Sequence, residues 1–132
     1  MNDLEARLTA VAEELEFAGD WNDRYRLLVE WGEEMTPLEP GARLSECEVP
    51  GCSSPLWLRV RWAGSLEVQG ASTGILPLAL VALVVRLFDG LGAPVGPVPP
   101  IADRLGLTRN LSPTRLRVFD QLVSRVMAGV PR

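Results

Sequence analysis

Cys47 and Cys52 are the residues in this chain with the most reactive side chains, and they stand five positions apart. Cys52 sits in the run Val49-Pro50-Gly51-Cys52-Ser53-Ser54-Pro55-Leu56-Trp57, where Gly and Pro mark a loop. Small neighbours leave its sulfur approachable, as a thiol requires if it is to exchange with a sulfur on another molecule. The competing interpretation is a structural cysteine in a tight turn, because free Cys is among the most often buried residue types. Two cysteines are too few for a zinc site, which wants four ligands drawn mainly from Cys and His. They are also too few for an iron–sulfur cluster held by this chain alone. What remains is thiol chemistry at one cysteine or at both.

The rest of the composition narrows the options. All 13 basic residues are Arg, and there is neither Lys nor His. Without Lys the chain cannot hold pyridoxal phosphate as a Schiff base. Without His it lacks the commonest general base and metal ligand. The formal net charge is −4, with no basic stripe, which argues against a nucleic-acid partner. At 132 residues, 47% apolar and 23% charged, the chain reads as one ordinary domain spanning 1–132 with a core of its own. The segment Met1 to Glu16 is acidic and helix-patterned, unlike a signal peptide. The uncharged apolar run from Gly74 to Val85 falls short of the roughly 18 residues a membrane span needs. The expectation is a cytoplasmic protein without a membrane partner, in a compartment that disfavours a structural disulfide.

The elements that would position the cysteines follow from periodicity. Asp3 to Phe17 carries Leu4, Leu8, Val11, Ala12 and Leu15 at helical spacing. Asp20 caps a second helix bearing Trp21, Tyr25, Leu28 and Trp31, a stripe that reads as core or subunit contact. Gly32 and Met35-Thr36-Pro37 close that helix, and Leu38 to Leu44 reads as loop. Leu56 to Trp62 alternates, and a hairpin about Gly64 keeps both apolar sets on one face only if Trp62 pairs with Leu66 and Val60 with Val68. That register also sets Arg61 opposite Glu67. Ile75 to Phe88 is apolar nearly all round, so it is the buried central helix, starting at about Gly74 or Ile75 because of Pro77. Asp89-Gly90 ends it, Gly92 to Pro100 is a stiff connector, and Ile101 to Leu105 is a short helix. Ser112-Pro113 opens the last helix, which carries Leu116, Phe119, Leu122, Val123 and Val126 on one face. The sum is an α+β fold, a small antiparallel sheet against a buried helix and flanking helices.

The motifs carry a family. Val49-x-Gly51-Cys52-x-Ser54-x-Leu56-Trp57 resembles the V-x-G-C-x-S-x-V-W signature of SufE-like proteins, the sulfur acceptors of iron–sulfur cluster assembly. Trp21, Arg24 and Tyr25 resemble the family's W-x-x-[KR]-Y helix, and Gln69-Gly70-x-Ser72 the end of its second strand. Leu111-Ser112-Pro113-Thr114-Arg115 is similar to its L-[ST]-P-[ST]-R block. The chain departs from the pattern at Ser72-Thr73-Gly74, at Pro77, and at Leu78 and Ala79, where the family has S-D-A and then a basic residue and glycine. Cys47 takes the place of an upstream polar residue.

The resemblance implies a SufE/IscU-like fold and a persulfide carried on Cys52. Sulfur would come from a SufS-like cysteine desulfurase, which the protein would stimulate, and pass to a downstream iron–sulfur scaffold. That is an accessory carrier, not an independent enzyme, with no cofactor or metal of its own, since pyridoxal phosphate belongs to the desulfurase. It implies a monomer or weak dimer. Gly51, Ser54 and Ser72 would meet the partner, and Arg115 would stabilise the thiolate or persulfide. A cation favours the thiolate that must do the attacking, and Arg43, Arg59, Arg61 and Arg115 are the available ones. The plain alternative for Arg115 is a solvated or dipole-pairing residue at a helix start. The family also implies that Cys52 is largely buried in the free protein and that its loop moves to meet the desulfurase. Two other functions fit the fold: an interaction module that has lost sulfur transfer, and an IscU-like cluster scaffold, which would need more cysteines. Cys47 is either inert or a resolving thiol for Cys52.

Overall fold

The computed structural model describes residues 3–92 and 95–131, so positions 93 and 94 of the Gly92–Pro100 connector lie outside the described residues. The first helix, α1 (Asp3–Ala18), buries Leu4, Leu8, Val11 and Leu15, the stripe its periodicity defines. The second, α2 (Trp21–Glu34), starts at a reciprocal cap. The Asp20 carboxylate accepts from the Asp23 amide at 3.1 Å, and the Asp23 carboxylate accepts from the Asp20 amide at 3.3 Å. This satisfies amide groups that the first turn leaves without helical partners. Gly32 does not close this helix, as the sequence suggests; it is buried inside α2 against the backbone of Ala79, and the helix runs on to Glu34.

Two single 3-10 turns, Pro40–Ala42 and Ser45–Cys47, lead to the hairpin of β1 (Leu56–Trp62) and β2 (Leu66–Ser72). Its register is the expected one, with Trp62 opposite Leu66, Val60 opposite Val68 and Arg61 opposite Glu67. The Arg61–Glu67 ion pair closes at 3.3 Å on the solvent side. A two-stranded ribbon has two free edges, and neighbouring chain covers parts of both. Along β2, the Val68 amide donates to the Asp89 carboxylate at 2.8 Å and the Leu38 amide donates to the Gly70 carbonyl at 2.8 Å. Along β1, the Val49 amide donates to the Leu56 carbonyl at 2.8 Å.

Behind the ribbon lies α3 (Ile75–Phe88), capped by Gly74 as the position of Pro77 requires. Its residues from Ala79 to Val84 are all buried, as are Leu87 and Phe88. A helix with no polar face is stable only when neighbours cover it. Here α2 and β2 cover most of it, and α1, α6 (Pro113–Ala128) and β1 add to the cover. Between them stand two four-residue helices, α4 (Ile101–Arg104) and α5 (Leu107–Asn110). Periodicity alone does not separate α5; Gly106 makes the break with φ +76°, a left-handed conformation. Ser112 caps α6 by accepting from the Arg115 amide at 3.3 Å. The apolar side chains of all the longer helices and both strands join one cluster. The architecture is α+β, a two-stranded antiparallel sheet on a central buried helix. Among the described residues no helix is long and apolar enough to cross a membrane.

Candidate functional site

The Cys52 loop is held at its base. Glu48 bridges antiparallel to Trp57, so the chain from Pro50 to Pro55 forms a projecting turn that starts and ends at the edge of β1. At its tip Gly51 has φ +90°, in the left-handed region that other residues enter only with strain. The side chains around Gly51 leave room for a Cβ, whose nearest neighbour would be Gln121 Nε2 at 3.9 Å, so the requirement for Gly is conformational. That reversal directs Cys52 back over the protein.

The loop's exit is tied to the start of α3. The Ser72 hydroxyl donates to the Pro55 carbonyl at 2.6 Å and accepts from the Gly74 amide at 3.2 Å. Ser54 rests on Gly74 so closely that a Cβ there would come within 2.6 Å of its Oγ. Glycine at position 74, a departure from the family pattern, therefore seats the cysteine loop on the helix.

Cys52 lines a cavity of about 890 Å³. The loop contributes Gly51, Ser53 and Ser54, and the first turns of α3 contribute Gly74 to Pro77 and then Leu80. From α6 and its cap come Ser112, Thr114, Arg115 and Val118, and α2 contributes Tyr25. Cys52 is half-buried and packs on the hydrophobic cluster. The expectation of a largely buried thiol agrees with this: most of the residue's surface is covered, and the rest borders the cavity. Ile75, in the lining of the same cavity, is 68% exposed.

The four arginines separate cleanly. Arg43 lies 5.4 Å from the Trp57 ring centroid and donates to the Leu38 carbonyl at 2.9 Å. Arg59 hydrogen-bonds the Gln69 side chain, and Arg61 pairs with Glu67. Arg115 alone of the four lines the Cys52 cavity, and among the described residues nothing hydrogen-bonds or ion-pairs with its guanidinium. Nor does it pair with a dipole. It is the third residue of α6, and a cation in the first turn faces the positive end of the helix. Helix stability does not account for Arg115.

The structure thus brings together Cys52, Gly51, Ser54 and Arg115. Ser72 lies behind them as the tie between loop and helix. Tyr25, read from the sequence as core or subunit contact, is one of the lining residues not expected at the site: it shares a helical stripe with Leu28 and Trp31, yet it is 36% exposed while they are buried. Cys47 does not reach this site. It ends a 3-10 turn on a separate cleft of about 570 Å³ with Leu58, Arg59, Arg61 and Arg125, and both cysteines are free thiols. Among the described residues no cluster of three or more His, Cys, Asp or Glu is placed to hold a metal ion.

Comparison with known proteins agrees with the motifs. The model of the SufE family, described as an Fe-S metabolism associated domain, matches residues 9–130. An uncharacterised SufE-like protein of Rhizobium etli is 30% identical over 131 residues, covering 92% of this chain and 87% of the relative. One of Rhizobium meliloti is 28% identical, covering 90% and 91%. The solution structure of a hypothetical protein from Thermus thermophilus superposes with a TM-score of 0.73 at 20% identity, over 98% of this chain and 95% of that one, which is a likeness of fold.

Proposed function

The chain belongs to the SufE family of Fe-S metabolism associated domains, and on that premise we propose that it is a sulfur acceptor whose carrier is Cys52. A cysteine desulfurase forms a persulfide on its own cysteine. The Cys52 thiolate attacks the outer sulfur of that persulfide, the partner's S–S bond breaks, and its electron pair leaves with the partner's thiolate. The product, Cys52-S-SH, carries the sulfur to an iron–sulfur scaffold. No net oxidation occurs, and the partner supplies both pyridoxal phosphate and the base, so a chain without Lys or His is sufficient for this half of the chemistry.

The observation that carries this reading is the position of Cys52 in a cavity where, among the described residues, Arg115 is the one Arg, Lys, Asp or Glu in the lining. A half-buried sulfur suits a shuttle, because a persulfide exposed to solvent is vulnerable to oxidants and reductants. Gly51 and Ser54 would meet the partner as parts of the loop itself. Ser72 would act behind them, by holding the loop on α3. On this reading the carrier works in the cytoplasm, as a monomer or weak dimer. The test is stimulation of a SufS-type desulfurase: added protein should raise its turnover, and Cys52→Ser should abolish the sulfur-transfer part of that effect. A Cys52→Ser protein that stimulates fully would replace this reading with a non-catalytic interaction module.

A further inference from the structure

The cavity around Cys52 has a charge character opposite to that of the chain. The protein carries 17 acidic and 13 basic residues, yet among the described residues lining this cavity there is no Asp or Glu, and Arg115 is the one basic side chain. Two helices also begin at its wall. The first turn of α3 has no side-chain cap, and the first turn of α6 holds Arg115 where the dipole makes a cation unfavourable. Helix starts of this kind favour negative charge nearby. The volume, about 890 Å³, far exceeds what a single sulfur atom needs and is in the range that holds a small organic molecule. Leu76, Leu80 and Val118 give it an apolar floor.

We propose that this cavity also takes anionic low-molecular-weight persulfides, so that Cys52 can be loaded without a protein donor. The inference rests on the reading of Cys52 as a persulfide carrier and extends it to a second class of substrate. The carboxylates of the small persulfide face Arg115 and the helix starts, while its outer sulfur meets Cys52. The Cys52 thiolate forms a bond to that outer sulfur, the donor's S–S bond breaks, and the electron pair leaves on the small thiolate. Sulfur is transferred at the sulfane level, and no oxidant or reductant is required. Because the step is an exchange, the same contacts serve the reverse reaction, in which a small anionic thiol withdraws sulfur from Cys52-S-SH.

The experiment uses the full chain with Cys47→Ser, so that Cys52 is its one thiol. Glutathione persulfide is the anionic donor and cysteamine persulfide the cationic one. Initial rates of Cys52-S-SH formation are read by intact-protein mass spectrometry after alkylation, each divided by the rate of the same donor with a free cysteine derivative. The anionic donor should be favoured by at most about five-fold, since Arg115 is exposed and one exposed charge contact reaches about 1 kcal/mol at most. The preference should shrink with added salt, vanish in Arg115→Ala, survive in Arg115→Lys and be unaffected by Arg109→Ala on α5. Equal normalised rates, or a preference that persists in Arg115→Ala, would overturn the inference. Parallel loading by a desulfurase separates the two claims. If the desulfurase loads Cys52 and the charge preference is absent, only this inference falls; if neither source loads Cys52, the carrier reading falls too.

Discussion

Ser54 Oγ occupies the space that a side chain at Gly74 would need, at 2.6 Å from where a Cβ would lie. The cysteine loop and the N-terminus of the central helix are therefore packed as one unit. The backbone at Gly74 is extended, with φ −92° and ψ 145°, so alanine fits the conformation and only the contact resists it. Gly74→Ala should lift the loop: alkylation of Cys52 should speed up several-fold, with a stability loss of about 1–3 kcal/mol from overpacking. An unchanged alkylation rate would mean that the loop is not held by this contact.

Gly51 makes a different prediction. Alanine there clashes with nothing but must adopt φ +90°. The expected cost is about 1–2 kcal/mol of backbone strain. The chain from Pro50 to Pro55 lies outside the regular elements, so it should relieve the strain by turning Cys52 away from the cavity. Sulfur loading should fall while the thermal midpoint drops only slightly, and circular dichroism should be that of the wild type. A variant that loads normally would show that the Gly51 reversal is not what aims the thiol.

The sequence made the local features plain and left the assembled ones open. Asp20, Ser112-Pro113 and the alternation in β1 and β2 act within a few residues, so the caps and the hairpin register follow from them directly. Tyr25 shows the limit. Its spacing matches Leu28 and Trp31, but only the approach of the Cys52 loop and α6 decides that its end of the stripe borders a cavity. The same holds for the arginines. The Leu111-Ser112-Pro113-Thr114-Arg115 block singles out Arg115, but only the fold shows that Gln69 comes to Arg59 and, among the described residues, no partner to Arg115. The role of Gly74 depends on Ser54, which reaches it only after the hairpin has folded back.

Cys47 and Cys52 face different clefts, which bears on a resolving disulfide. After mild oxidation of the loaded protein, wild type and Cys47→Ser should give the same adducts on Cys52. A disulfide-linked species that disappears in Cys47→Ser would show that the loop travels far enough to join the two thiols.

Ser112 supports Arg115 by capping the turn that carries it. Ser112→Ala should cost about 1 kcal/mol of stability. With the first turn of α6 frayed, the backbone that carries Arg115 at the cavity should loosen, and discrimination between anionic and cationic persulfides should weaken. Both changes are measurable on one preparation, by denaturant titration and by loading rates. A stability loss with discrimination intact would show that the cap does not position Arg115.

The central claim, that Cys52 carries sulfur, is tested most directly by following the atom. The protein is incubated with a SufS-type desulfurase and L-cysteine labelled at sulfur, then alkylated, digested and analysed by mass spectrometry. The account predicts label on the peptide containing Cys52, absent from Cys52→Ser and retained in Cys47→Ser. Label confined to Cys47, or none on this protein while the desulfurase itself is labelled, would contradict it.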